Sequence, residues 1–195
     1  MDSNVRRIIL ASGSPRRKEL LEKIITNFEI MPGSFEENNA FSNPYSLVRA
    51  NSQGKARNIA EKERRGIIIG ADTVVAHDSK ILAKPKDAND AVRMLTNISG
   101  KSVEVITGVS IIDISYKKSL YRDETTTVFM TKMSRIEIDW YVATGEPLDK
   151  AGAFAIQGKG SLFVEKINGC YHNVMGLPLY RLRCMLGELS VDFFK

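Results

Sequence analysis

The chain has 195 residues, of which 43% are hydrophobic and 26% charged, a composition that indicates one globular domain spanning residues 1–195. No apolar run approaches the roughly 20 residues of a membrane span, and the start of the chain lacks the apolar stretch of a secretory signal, so we expect a cytoplasmic protein without membrane contacts. The net charge of +5 is scattered along the chain without a basic tract, which argues against nucleic acid as a partner and favours a small polyanion.

The first half of the chain alternates short apolar runs with helical patterns. Residues 8–11 predict a buried strand, and the helix that follows has Ser14 as its cap and Pro15 at its first position. A loop rich in acidic residues and Asn, over 34–43, separates this helix from the next one. The further elements predicted in this half are a helix over 44–66, a strand over 67–69 and a helix over 87–100.

The second half of the chain is richer in strands. Two stretches, over 103–114 and 121–133, are joined by a short polar spacer, which predicts an antiparallel hairpin. A helix over 136–144, a strand over 162–167 and a helix after Pro178 follow. The alternation of helices and strands early in the chain and the antiparallel pairing later indicate an α/β fold with a mixed β-sheet flanked by helices.

The segment 12–17 carries the first indication of function. Two arginines, Arg16 and Arg17, lie in the first turn of the predicted helix, where the helix dipole is already positive. A bound anion would resolve this conflict, because backbone N–H groups, the hydroxyls of Ser12 and Ser14 and a guanidinium would converge on phosphate oxygens. The alternative is an ordinary capped helix with solvated arginines.

Asp72 follows directly after the apolar strand predicted at 67–69. Ligands of open α/β sheets bind outside the carboxyl ends of the strands, so this carboxylate is a candidate for holding a metal ion or orienting an attacking water. Thr73 adds a hydroxyl at the same edge. The alternative interpretation of Asp72 is a turn residue that caps the strand end.

Other candidate residues are dispersed along the chain. Glycines on both sides of Lys159, one of them directly after Gln157, would let the backbone approach a ligand closely, and the Gln157 amide suits the edge of a base. The alternative is a Gly-rich turn between strands. The charged residues that only the fold could bring together are Lys55, Lys84, Glu36 and Glu37.

Seven motifs occur in one order along nearly the whole chain, and together they resemble the Maf-like nucleotide pyrophosphatases, also called septum-formation-inhibitor-like proteins. The motifs cover residues 10–17, 70–75, 84–87, 107–109, 149–152, 156–158 and 173–178. The resemblance implies an elongated mixed-sheet α/β fold like that of the inosine-triphosphate pyrophosphatases, in a homodimer. It also implies hydrolysis of a nucleoside triphosphate to the monophosphate and pyrophosphate, with a divalent cation, Mg²⁺ or Mn²⁺, as cofactor.

The resemblance also assigns roles to particular residues. Asp72 matches the catalytic proton acceptor of the family, and Glu37, or its neighbour Glu36, matches the acidic loop residue that shares the metal ion with it. The positions that mark the branch of the family acting on dTTP and UTP match Arg16, Thr73 and Gln157. The phosphate-binding positions match Ser12, Lys55 and Lys84, to which the helix argument adds Ser14 and Arg16. The chain departs from the usual family residues at Ala83, Phe154, Ala155 and Cys170, none of which has an assigned chemical role.

Two alternatives to dTTP and UTP hydrolysis stay open. The substrate could be 7-methyl-GTP or another non-canonical nucleotide, although Arg16 and Gln157 argue against this. The chain could also be a nucleotide-binding regulator of cell division or septum formation, as the older family name suggests. Asp72 and the surrounding cations favour catalysis, because a sensor has no need of a carboxylate that activates water.

Overall fold

The computed structural model describes residues 6–37 and 40–191. Within them, seven strands form one sheet: β1 (Ile8–Leu10), β2 (Glu29–Ile30), β3 (Ile67–His77), β4 (Lys80–Leu82), β5 (Ser102–Asp113), β6 (Lys118–Met130) and β7 (Val164–Asn168). The α-helices in the same residues are α1 (Pro15–Glu22), α2 (Pro44–Ala60), α3 (Ala88–Ile98), α4 (Arg135–Ala143), α5 (Tyr171–Val174) and α6 (Leu179–Glu188). Three 3₁₀ turns lie at Glu146–Asp149, Ala151–Ala153 and Gly158–Phe163. None of the described helices is both long and apolar enough to cross a membrane.

The sheet is mixed, with the strand order β2-β1-β3-β5-β6-β7 and with β4 added to β3. β1 runs parallel to β2 and β3, while the other pairs are antiparallel, including the predicted β5–β6 hairpin. Helix α2 packs on one face of the sheet. Helices α1 and α6 cover one end of the other face, and α3 and α4 cover its other end. This architecture confirms the predicted α/β fold with a mixed sheet between helices.

β3 has an unpaired stretch of edge in the middle of its length. β1 pairs with β3 only as far as Ile69, and β4 pairs with it only from Val75. Residues 70–74 therefore have β5 on one side and, among the described residues, no strand on the other. This gap leaves room beside the sheet for the segment that follows β1, and the candidate site lies there.

Two glycines allow α2 to lie unusually close to the sheet. A Cβ atom at Gly108 would lie 2.6 Å from the carbonyl oxygen of Val48, and one at Gly70 would lie 2.4 Å from that of Ser52. Both distances are far inside van der Waals contact, so any side chain at these positions would push the helix away from the sheet. The close packing brings the polar side of α2 to the middle of β3.

The structure differs from several of the predicted element boundaries. The second helix ends at Ala60 instead of Gly66, because the charged run 61–65 has no apolar residues to pack against the sheet. The strand predicted at 67–69 continues to His77, since its polar residues pair with β5. The strands β2 and β4 and the helix α5 were not predicted, because elements of two to four residues show too little periodicity.

Candidate active site

A cavity of about 490 Å³ opens where the gap beside β3 meets the start of α1. Most of the predicted site residues line this cavity: Ser14, Arg16, Glu37, Lys55, Asp72, Thr73, Lys84 and Gln157. Ser12 does not line the cavity. Its hydroxyl accepts a 3.3 Å hydrogen bond from Arg17, and Arg17 does line the cavity. Glu36 and Glu37 are both exposed, but only Glu37 lines the cavity.

Asp72 is a buried carboxylate, only 6% exposed, in the middle of β3 opposite Gly108. The prediction that Asp72 follows the end of its own strand was wrong, because the strand that ends here is β1 and Asp72 lies in the gap beyond it. One carboxylate oxygen accepts a 2.6 Å hydrogen bond from Lys55 Nζ, and the other accepts a 3.2 Å bond from Asn51 Nδ2. Both donors lie on α2, one helical turn apart, so this helix fixes the orientation of the carboxylate.

Lys55 connects Asp72 to the loop before α2. Its ammonium group also lies 2.6 Å from Glu37 Oε1, so one cation bridges two carboxylates. Burial raises the pKa of Glu37, but the hydrogen bond and charge of Lys55, with the charges of Arg17 and Lys84, outweigh this effect and set that pKa below its ordinary value. Glu37 is therefore ionised at neutral pH and faces the cavity as an anion.

Arg17 is a cavity residue to which no individual role was assigned from the sequence. Its Nε donates to the Gly176 carbonyl at 3.0 Å, Nη1 to Ser12 Oγ at 3.3 Å and Nη2 to Thr73 Oγ1 at 3.1 Å. Among the described residues no carboxylate forms an ion pair with it. Burial lowers the pKa of Arg17 against the opposing charges of Asp72 and Glu37, yet a guanidinium stays protonated. The group therefore presents to the cavity, in a fixed orientation, a positive charge that no described carboxylate contacts directly.

A sequence feature could have distinguished Arg17 from Arg16. Arg17 precedes the buried Leu20 and Leu21 by three and four residues, so it lies on the face of α1 that packs inward. Arg16 lines the cavity half-exposed, with no hydrogen bond to another described side chain. The sequence predicted that the helix dipole would repel both arginines unless an anion were bound. For Arg17, the hydrogen bonds to neutral oxygens of Gly176, Ser12 and Thr73 hold the guanidinium in place without an anion.

Thr73 supports Arg17 from the sheet. Its hydroxyl accepts the bond from Arg17, lies 2.9 Å from Thr107 Oγ1 and donates to the Gly176 carbonyl at 3.4 Å. Thr107 in turn lies 3.4 Å from the carbonyl oxygen of Asn173. The predicted specificity residue thus lines the cavity, but its hydroxyl is already engaged by protein groups.

Gln157 lies at the start of the 3₁₀ turn Gly158–Phe163, in a loop that lines the cavity. The carboxylate of Glu146, another residue without a predicted role, holds this loop by accepting from the backbone N–H groups of Lys159 and Gly160. The glycines around Lys159 were predicted to allow the approach of a ligand. In the structure, the Glu146 carboxylate lies closest to Gly158, and the Tyr141 hydroxyl lies closest to Gly160.

A model of the family described as "Maf-like protein" matches residues 7–189. The chain belongs to the Maf-like family. Proteins named "dTTP/UTP pyrophosphatase" are similar to it over nearly their full length. The protein of Methanococcoides burtonii is 52% identical, and the match covers 97% of this chain and 98% of that protein. The protein of Ruminiclostridium cellulolyticum is 46% identical, and the match covers 98% of this chain and 100% of that protein. A third, from Clostridium botulinum strain Okra, is 45% identical, and the match covers 96% of this chain and 100% of that protein.

The fold of this Maf-like protein is also found in a distant solved structure. The Ham1 protein of Staphylococcus aureus matches with a TM-score of 0.55 at 13% identity, over 94% of this chain and 99% of that one. At this identity the likeness concerns the fold alone. It supports the expected fold class, a mixed α/β sheet flanked by helices.

Asp72 and Glu37 are the carboxylates of this Maf-like site that a divalent cation could share. The carboxylates of Asp72 and Glu37 converge on one point, since both lie 2.6 Å from Lys55 Nζ. No group of three or more His, Cys, Asp or Glu side chains in the described parts of the chain could hold a metal ion alone. Two carboxylates suit Mg²⁺, which keeps several waters and binds in protein sites together with substrate phosphates.

Proposed function

We propose that this Maf-like protein hydrolyses dTTP and UTP to the nucleoside monophosphate and pyrophosphate. The observation that carries the proposal is the arrangement of Asp72, Lys55 and Arg17 around one cavity, with a buried carboxylate beside two cations. Relatives 45% to 52% identical carry the name of this activity, which supports the choice of substrate.

The cations have hydrogen-bond donors left for phosphate oxygens. Two of the three N–H groups of Lys55 contact Glu37 and Asp72, which leaves one. Three of the five N–H groups of Arg17 bind protein acceptors, which leaves one on each terminal nitrogen. Lys84 and Arg16 line the same cavity, and with Ser12 and Ser14 they complete the proposed triphosphate site.

Asp72 is the proposed proton acceptor. A water oxygen attacks the α-phosphorus while Asp72 accepts its proton, and the bond from the α-phosphorus to the bridging oxygen breaks, so that pyrophosphate leaves with the bonding electrons. Asn51 keeps the carboxylate oriented during this step. Arg17 and Lys55 stabilise the charge that develops on the pyrophosphate, and no covalent nucleophile is needed.

Asp72 and Glu37 would hold the metal cofactor. When bound, Mg²⁺ or Mn²⁺ neutralises charge on the phosphate oxygens. In its absence, Lys55 supplies the positive charge between the two carboxylates.

Base selection is proposed to depend on Gln157, with Arg16 and Thr73. The Gln157 amide can both donate and accept, as the edge of thymine or uracil requires. Because the Thr73 hydroxyl already contacts Arg17, its contribution acts partly through that residue. The family resemblance further supports a homodimer in the cytoplasm, which sedimentation and cell fractionation would test.

The test is pyrophosphate release from dTTP, UTP, CTP, GTP and 7-methyl-GTP, with Mg²⁺, with Mn²⁺ and with EDTA. We expect metal-dependent release from dTTP and UTP, and a loss of several orders of magnitude in turnover for Asp72→Asn. This variant keeps the shape of the side chain and an oxygen for Lys55 but loses the acceptor for Asn51, so thermal unfolding measured in parallel checks that it stays folded. Asp139→Asn, which removes an exposed carboxylate on α4, is the matched control.

Other outcomes distinguish the alternatives. Release from 7-methyl-GTP alone would contradict the assignment of dTTP and UTP. Tight nucleotide binding without product would favour a nucleotide-binding regulator. Near-normal turnover of Asp72→Asn would remove Asp72 from the mechanism.

A further inference from the structure

We propose that Glu146 and Tyr141 are positioning residues that hold the loop 155–160 in the shape with which Gln157 selects a pyrimidine base. The inference rests on the proposed function and deepens it, because it concerns the groups that fix base selectivity at that same cavity.

A compact hydrogen-bond network surrounds the loop. Glu146 Oε1 accepts from Tyr141 Oη at 2.9 Å and from the Gly160 N–H at 2.9 Å, while Oε2 accepts from the Lys159 N–H at 3.0 Å. Tyr141 Oη accepts from the Ala155 N–H at 3.2 Å. The network therefore holds the backbone on both sides of Gln157, at Ala155 before it and at 159–160 after it.

Two glycines are required by this network. A Cβ atom at Gly158 would lie 2.5 Å from Glu146 Oε2, and Gly158 also has a positive φ of 71°. A Cβ atom at Gly160 would lie 2.3 Å from Tyr141 Oη. The loop can approach its anchors only because both positions lack a side chain, so its sequence is adapted to Glu146 and Tyr141.

The anchors themselves are fixed to the body of the protein. Tyr141 is fully buried on α4, where its ring packs against Phe163 with centroids 5.3 Å apart. Helix α4 begins with a capping box formed by Ser134 and Glu137. The loop is thus tied to a helix with a fixed start and a buried anchor.

Glu146 also lines the cavity, but three protein donors already hold its carboxylate, so we assign its role to the loop and not to direct contact with the substrate. Burial raises the pKa of the Glu146 carboxyl, but the N–H groups of Gly160 and Lys159 and the Tyr141 hydroxyl outweigh burial and set the pKa below its ordinary value. The carboxylate is therefore ionised whenever the enzyme works near neutral pH. Its loss would leave two loop N–H groups without an acceptor, and the loop would no longer have one preferred shape.

The experiment compares the wild type with Glu146→Gln and Tyr141→Phe, and uses Asp139→Asn, which removes an exposed carboxylate from α4, as the matched control. For dTTP and UTP we expect KM to rise about tenfold or more in the first two variants, with kcat within about threefold. The preference for dTTP over CTP should fall. Inhibition by inorganic triphosphate should stay unchanged, because this probe has phosphates but no base.

A double-mutant cycle tests whether the effect passes through Gln157. In a Gln157→Ala background, Glu146→Gln should add little further loss, because the group that the loop presents is already absent. Fully additive losses, or equal weakening of inorganic triphosphate and dTTP, would overturn the proposal. Tyr141→Phe removes one hydroxyl without changing the packed ring, so it gives a result even if Glu146→Gln folds poorly. A wild type that releases pyrophosphate from neither dTTP nor UTP would instead show that the proposed function is wrong, and with it the role of this loop in pyrimidine selection.

Discussion

Replacing Arg17 with lysine tests whether the shape of this side chain, and not only its charge, is needed. The guanidinium spans three acceptors on three different segments: Gly176, Ser12 and Thr73. A lysine ammonium is a single point with three donors and cannot span them. The positive charge would remain, while the fixed pair of N–H groups directed to the substrate would be lost.

The size of the effect follows from those two remaining donors. A hydrogen bond to a charged group contributes about 1.5–3 kcal/mol, so the loss of two such bonds to phosphate oxygens should cost about 3–6 kcal/mol in the transition state. This corresponds to a fall of about 10²–10⁴-fold in kcat/KM. Arg16→Lys, at the neighbouring position, should cost at least about tenfold less, because Arg16 makes no comparable contacts.

The assay is steady-state pyrophosphate release from dTTP for both variants, with thermal unfolding measured in parallel. An Arg17→Lys enzyme within about threefold of the wild type would refute the reasoning. So would an Arg16→Lys enzyme that loses as much activity as Arg17→Lys, since the contacts would then have assigned the role to the wrong arginine.

Three further predictions concern the metal ion, the packing of α2 and the pH dependence of stability. Glu37→Gln should raise the Mg²⁺ concentration for half-maximal activity by at least about tenfold, measured by metal titration, whereas Glu36→Gln should not. Gly108→Ala should destabilise the protein by about 1–3 kcal/mol in urea unfolding, because its Cβ would lie 2.6 Å from a backbone oxygen of α2, whereas Gly187→Ala, with nothing within 4 Å, should be neutral or stabilising. The pKa of Glu146 in the folded state lies below the ordinary value of 4.5. The ionised Glu146 therefore stabilises the folded state fully above about pH 4.5, and this stabilisation is lost as the pH falls through the folded-state pKa. The difference in unfolding temperature between the wild type and Glu146→Gln should therefore shrink as the pH is lowered below about 4.5, and a difference that grows would contradict this assignment.

The sequence predicted most of the helices because their caps and apolar faces are local features. Ser14, Asn43 and Asp87 accept from backbone N–H groups at the starts of α1, α2 and α3, and Ser134 caps α4. The long hairpin was predicted for the same reason, since alternation and a polar spacer lie within one segment. Boundaries were less accurate where only packing decides them, as at the end of α2.

The residues of the cavity could be proposed from the sequence, but not their partners. Lys55 and Asp72 are 17 residues apart, and their 2.6 Å contact depends on how closely α2 lies on the sheet. Arg17 was missed because its acceptors at Gly176 and Thr73 come from distant parts of the chain. Glu146 was missed for a different reason: it binds backbone N–H groups, and no pattern of side chains indicates such a contact.

The shortness of β1 accounts for the position of the whole site. If β1 continued beside β3 past Ile69, its backbone would occupy the edge of residues 70–74. Instead the chain leaves the sheet after Leu10 and turns into α1, so Arg17 meets β3 where a strand would otherwise lie and donates to Thr73. Alternation along β3 then directs Asp72 to the α2 face and Thr73 to the other. The early end of the β1–β3 pairing thus leaves the edge of β3 open. At this edge Asp72, and Arg17 held by Thr73, both line the same cavity.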